Sequence, residues 1–149
     1  MGRSWAKSRT KSGGKSQTKS ETKSMKNKLN KYIEIAKALQ PNTHNVKTFH
    51  VTFILSKNKL LSIGINKPKT HPKTIKYSYC HSVGIHSELS AVLKLGKENC
   101  SNYTFVNVRL KKDGTVGSSK PCKGCQDLLN QVGYKSIFFT TDQGNFDHV

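Results

Sequence analysis

From Leu29 onward the apolar residues change period again and again, and that switching limits the fold more than any other feature. Leu29, Tyr32, Ile33, Ile35, Ala36 and Leu39 fall mostly on one helical face ahead of Pro41-Asn42, a spacing that predicts an amphipathic helix. Two β-rich runs follow, Thr48 to Leu55 and Leu60 to Ile65, and the polar Ser56-Lys57-Asn58-Lys59 between them predicts a hairpin. A Lys/Pro/Thr/His loop, Lys67 to Tyr79, leads to a second helix whose Leu89, Val92, Leu93 and Leu95 end at Gly96, a residue suited to a helix C-terminus. Tyr103 to Leu110 reads as a third strand, with a turn at Asp113-Gly114. Pro121 opens a third helix with a stripe at Cys125, Leu128, Leu129 and Val132; Ser136 to Thr141 is a fourth strand that turns at Asp142-Gln143-Gly144 into a brief last segment, Asn145 to Val149. The order α-β-β-α-β-α-β-β predicts an α/β fold of three layers, helices on both faces of a mixed sheet of about five strands. The last turn is too short for a crossover, so the final two strands should run antiparallel.

The first 25 residues carry a different pattern. Lys-Ser recurs every four residues, at Lys7, Lys11, Lys15, Lys19 and Lys23. As a helix this would stack lysines at i, i+4, where like charges repel. Beyond Trp5 almost nothing apolar is present to offset the entropy of ordering it. Residues 1–25 are therefore expected to be a disordered basic tail ahead of one ordered domain, 26–149. Such a tail suits a polyanion-binding arm, a localisation signal (nuclear targeting included) or a solubilising segment, and it superficially resembles a Lys/Ser/Thr-rich transit peptide.

Charge narrows the partners. The chain has 26 Lys and Arg against 8 Asp and Glu, a net charge of +18. Residues 1–28 hold nine basic and one acidic, or +8, which leaves seventeen and seven, or +10, for residues 29–149. A basic body with a basic tail favours polyanions or phosphorylated small ligands. No stretch approaches the roughly 18 apolar residues of a membrane-spanning helix, and no apolar run follows the charged N-terminus as in a secretory signal. The expectation is an intracellular, cytoplasmic protein with no membrane partner.

Four cysteines, Cys80, Cys100, Cys122 and Cys125, could form disulfides by number alone. The close pair in Pro121-Cys122-Lys123-Gly124-Cys125 points to a metal or redox site instead. Cysteines three apart at a helix start share one face and can grip one ion, and the helix dipole there favours thiolates. A redox pair or two buried cysteines would fit the same spacing. The second signal is Gly84-Ile85-His86-Ser87-Glu88 at the start of the second helix. Alone, His86 reads as a cap or packed residue and Glu88 as complement to the dipole. Together with the cysteines they make sense as a third zinc ligand and an acid/base. Three protein ligands leave the fourth position of a catalytic zinc for water, whose proton a nearby carboxylate can shuttle.

With His86-Ser87-Glu88 and Pro121-Cys122-Lys123-Gly124-Cys125 separated by 32 residues, the chain resembles the zinc-dependent cytidine and deoxycytidylate deaminase superfamily, whose signature is His-x-Glu followed by Pro-Cys-x-x-Cys. The resemblance covers about residues 29–149, leaves the tail outside, and implies a cytidine-deaminase-like fold. It implies Zn2+ on His86, Cys122 and Cys125. Glu88 would pass a proton from the zinc-bound water to the ring nitrogen and then to the leaving amine. It also implies a sugar contact from Asn66 at the end of the second strand, although a strand-end turn residue would look the same. The backbone N–H of Ser87 would meet the base carbonyl; alanine is commoner there.

Cytosine nucleosides, nucleotides, single-stranded nucleic acid and transfer-RNA adenosine are all substrates within this superfamily. An antiparallel final pair of strands looks more like the members acting on free nucleosides, and no room remains for the C-terminal helices of adenosine-editing members. The charge points to a phosphate backbone, with Tyr77, Tyr79 and Tyr103 available for stacking. A nucleotide, its phosphate on a Lys of the Lys67-to-Lys76 loop, would satisfy both. The expected function is hydrolytic deamination of cytosine to uracil in a free nucleoside or nucleotide (cytidine, deoxycytidine or dCMP). Deamination in single-stranded nucleic acid or tRNA is the alternative. A further alternative is a non-catalytic nucleic-acid-binding module with structural zinc, its fourth ligand drawn from His71, Cys80, His81 or Cys100. Small members commonly assemble, so the resemblance also implies a homo-oligomer.

Overall fold

The structure, a computed structural model, describes residues 19–40, 49–66 and 86–149, with side chains from residue 28 onward. In chain order the elements are α1 (Lys19–Leu39), β1 (Phe49–Ser56), β2 (Lys59–Ile65), α2 (Ser87–Leu95), β3 (Thr104–Leu110), β4 (Val116–Gly117), α3 (Lys123–Val132), β5 (Ser136–Thr140) and β6 (Phe146–His148). The Lys67-to-Tyr79 loop, Pro41-Asn42, His71, Cys80, His81 and Gly84-Ile85 lie outside the described residues.

One six-stranded sheet runs in the order β2-β1-β3-β5-β6, with β4 added beside β3. β1 is antiparallel to both β2 and β3, β3 and β5 are parallel, and β5 and β6 are antiparallel as their short turn requires. The sixth strand, β4, escapes the sequence pattern because it is two residues long. β5 pairs Thr104 to Asn107 of β3, and β4 pairs Arg109 and Leu110 beyond them.

Alternation along the strands sorts side chains to two faces. Phe49, Val51, Phe53 and Leu55 of β1 and Val106, Val108 and Leu110 of β3 join Leu29, Tyr32, Ile33 and Ala36 of α1 in one cluster. There the Tyr32 ring lies 4.8 Å from that of Phe53. Ile54, Phe105, Ile137 and Phe139 face the other way, against Leu89 and Val92 of α2 and Leu128, Leu129 and Val132 of α3. Three layers result, as the alternating periods predict.

Two boundaries differ from expectation. α1 begins at Lys19, inside the segment expected to be disordered. Once later turns are anchored on the sheet, each residue added at the front gains a backbone hydrogen bond without a new nucleation cost. α3 begins at Lys123, with Cys122 as its N-cap in extended conformation (φ −70°, ψ 172°), so Pro121 precedes the helix and does not open it.

The hairpin turn is two residues, Lys57 (φ 49°) and Asn58 (φ 67°), the left-handed pair that matches strand twist. Gly64 matters more for the site. A Cβ there would run into the backbone nitrogen of Ala91 and the carbonyl oxygen of Ser87. Its absence lets α2 lie directly on β2, where the Ser62 hydroxyl donates to Ala91 O at 2.8 Å. Gly64→Ala must push α2 off the sheet, since neither neighbour is a flexible side chain. It should cost about 1–3 kcal/mol as overpacking does and lower bound zinc; an unchanged melting temperature and metal content would refute this account of the packing.

Candidate functional site

The N-termini of α2 and α3 meet above the sheet, and the residue just before each helix faces the other. His86 caps α2 in extended conformation (φ −75°, ψ 159°) with no side-chain bond to the helix, which leaves its ring for other contacts. Its Nδ1 lies 3.5 Å from Cys122 Sγ and 3.3 Å from Cys125 Sγ. Among the described residues these three form the group able to hold a metal ion, their ligand atoms within 4.8 Å of one another. Nitrogen and sulfur bound to one tetrahedral zinc sit about 3.6 Å apart, so the donor set and its spacing both fit. Cys100 is not in the group; it is buried in the core, its Sγ 3.8 Å from Lys97 O. Among the described residues nothing closes the site with a fourth protein ligand.

The electrostatics favour a thiolate at Cys122. Hydrogen bonds from Cys125 and then His86 draw the Cys122 thiol from 9.0 down to about 3. The bond to Cys122 outweighs burial and raises His86. The partial positive charge of the helix N-termini favours thiolates over thiols in the same place.

Glu88, in the first turn of α2, is 6% exposed, and burial pushes its carboxyl above the ordinary 4.5. It is held by a closed ring of polar contacts. Ser87 Oγ lies 3.1 Å from Glu88 Oε1, and Asn107 Nδ2 donates to Glu88 Oε2 at 3.1 Å. Thr52 Oγ1 lies 2.8 Å from both Ser87 Oγ and Asn107 Oδ1. Two hydroxyl hydrogens and one amide hydrogen must serve these four contacts. An ionised carboxyl leaves one contact without a hydrogen. Ser87 donates to Glu88, and the Thr52 hydroxyl is directed at both Ser87 Oγ and Asn107 Oδ1. Burial favours the neutral acid and outweighs the hydrogen bonds from the main chain and Ser87, which favour the ionised form.

Next along the same sheet face, His50 and Arg109 are partners across β1 and β3. Burial first, then the Arg109 charge, lower His50 to about 4, so it is neutral. Arg109 Nη1 reaches Ser118 O at 3.5 Å. Asn66, just past β2, accepts from the His50 N–H through Oδ1 at 3.0 Å and donates its own N–H to His50 O at 3.2 Å. Its side-chain oxygen therefore extends the ladder.

The structure thus brings His86, Cys122 and Cys125 together with Glu88 and Ser87 beside them, and sets Asn66 at the strand end next to His50. Sequence reasoning missed Thr52, Asn107, His50 and Arg109. One signal was available: β1 and β3 carry polar residues at alternate positions among Val, Ile and Phe, on the face that meets two helices.

The sequence model of the cytidine and deoxycytidylate deaminase zinc-binding region matches residues 26–141. A comparison by sequence with curated proteins finds no match. Among solved structures, the cytidine deaminase from Burkholderia pseudomallei is similar, with a TM-score of 0.54 at 16% identity over 78% of this chain and 87% of that one. The cytidine deaminase from Mycobacterium leprae gives 0.48 at 17% identity over 78% and 88%. Among the described residues no helix is long and apolar enough to cross a membrane.

Two outcomes follow from the charge states. In protein stripped of metal, Cys122 should alkylate with iodoacetamide at a rate nearly flat from about pH 5 to 8, because its thiolate is already formed. Zinc should protect it, and a rate climbing to the usual thiol range would refute the lowered value. Glu88 binds its proton more tightly folded than unfolded, so the metal-free protein should lose stability as pH rises from 4.5 towards the raised folded value. Glu88→Gln, which cannot ionise, should remove that slope. Parallel melting curves for parent and variant across this range would contradict it.

Proposed function

The chain belongs to the cytidine and deoxycytidylate deaminase zinc-binding family, and from that membership we propose that it hydrolyses the amino group of a cytosine base, releasing ammonia and leaving uracil, on a free nucleoside or nucleotide such as cytidine, deoxycytidine or dCMP. The observation that carries this reading is the buried Glu88 beside the His86, Cys122 and Cys125 cluster. Zinc held by those three residues would supply a Lewis acid that makes water a nucleophile near neutral pH.

The protein's own part is proton transfer and positioning. Glu88 takes the proton of the attacking water on its carboxyl, gives it to the ring nitrogen, and later returns a proton to the departing amine. A group with this task needs both forms within reach near neutral pH, and the environment of Glu88 raises it in that direction. The Ser87 main-chain N–H, in the first turn of α2, has no acceptor inside the helix and is the proposed donor to the base carbonyl. Asn66 is the proposed sugar contact.

The antiparallel β5–β6 pair supports a free substrate, as in the members that act on nucleosides. The net charge of +18 favours a second reading, cytosine or adenine in single-stranded nucleic acid or tRNA, with the Lys-Ser tail as the arm that holds the polymer. Zinc-loaded protein given cytidine, deoxycytidine, CMP, dCMP and single-stranded DNA and RNA together should yield uracil in the free pool alone, and Glu88→Ala should yield none. Product confined to the polymers would establish the second reading. No product anywhere, with zinc bound, would overturn both and leave the structural-zinc module.

A further inference from the structure

Resting on the reading of Glu88 as the proton carrier, we propose that Asn107, held in one orientation by Thr52, is the positioning residue that aims the Glu88 carboxyl at the reacting atoms. Thr52 and Asn107 are opposite one another across β1 and β3, and Gly64 is opposite Thr52 on its other side. Both polar residues are buried, at 0% and 2% exposure. Their neighbours on that sheet face, Ile54 and Phe105, are core residues. A hydroxyl and an amide in such a row cost stability unless they are bonded, and here Thr52 bonds Ser87 and Asn107 while Asn107 bonds Glu88.

Orientation is the central point. An Asn amide can turn end over end and present either oxygen or nitrogen to a neighbour. Thr52 Oγ1, 2.8 Å from Asn107 Oδ1, donates to that atom and so keeps Nδ2 towards Glu88 Oε2. Without the Thr52 hydroxyl, the reversed amide sets two acceptors against each other when Glu88 is ionised, and the carboxyl is displaced. The other end of Asn107 serves the metal side. Its main-chain oxygen accepts from Ser119 Oγ at 2.8 Å, and Ser119 leads through Lys120 and Pro121 to Cys122. One residue thereby registers the carboxyl and the segment that carries the cysteines.

The test uses full-length, zinc-loaded Thr52→Val, Thr52→Ser and Asn107→Asp proteins, with kcat, KM, zinc content and melting temperature measured for each. Thr52→Val should lower kcat on the order of ten- to a hundred-fold, a share of the general acid–base contribution, with KM and zinc content held. Thr52→Ser should restore most of the rate, and Asn107→Asp should lose more than Thr52→Val. A second readout needs no activity. The Asn107 side-chain amide, assigned by its loss in Asn107→Asp, should exchange slowly in 1H–15N spectra, shift in Glu88→Gln, lose protection in Thr52→Val and regain it in Thr52→Ser. A full rate in Thr52→Val, or an Asn107 amide indifferent to Thr52 and Glu88, would overturn the proposal even if the protein deaminates cytidine. If it deaminates nothing while the amide responds as expected, the function falls and the aiming of Glu88 by Asn107 stands.

Discussion

A carboxyl group buried at the start of a helix must find hydrogen-bond partners from the sheet beneath it, and the arrangement around Glu88 follows from that demand. An unsatisfied buried polar group costs about 1–3 kcal/mol, and more when charged. Ser87, Thr52 and Asn107 meet the demand from three elements, α2, β1 and β3. They can do so only because α2 lies close on the sheet, and Gly64 permits that approach. Packing, hydrogen bonding and the placement of the candidate acid/base are one geometric solution.

A second consequence is the separation of protonation states over a short span. Cys122 is pulled towards its thiolate by hydrogen bonds from Cys125 and His86, whereas Glu88 is pushed towards its neutral acid by burial. Two groups beside one another are thus driven in opposite directions, the condition that lets one place hold a cation and move a proton. His50, kept neutral by burial and by Arg109, adds no further positive charge to a chain already at +18.

The core and the metal cluster were largely legible in the sequence. The stripe of α1 fell where expected because it needs only one helical face and one apolar layer. His86, Cys122 and Cys125 were legible because the two half-motifs, each open to other readings alone, together supply three ligands for one ion. Asn66 was a less specific signal, since a strand-end Asn serves a ladder as readily as a ligand, and here Oδ1 serves the ladder. β4 was too short for a period to show. The start of α1 was misplaced because a charged, apolar-poor segment says little about how far an anchored helix extends.

The sequence by itself determined the three-layer α/β class, the order of the elements and the set of groups able to grip an ion, because periodicity and residue chemistry are local properties. Only the tertiary structure decided which atoms face each other. The β1–β3 register put Thr52 opposite Asn107, the seating of α2 over Gly64 lowered Glu88 onto that pair, and the meeting of two helix ends set His86 against the cysteines. The physical reason is that side chains alternate along a strand, so a shift of one residue in register would send Asn107 to the α1 face and leave Glu88 buried without it.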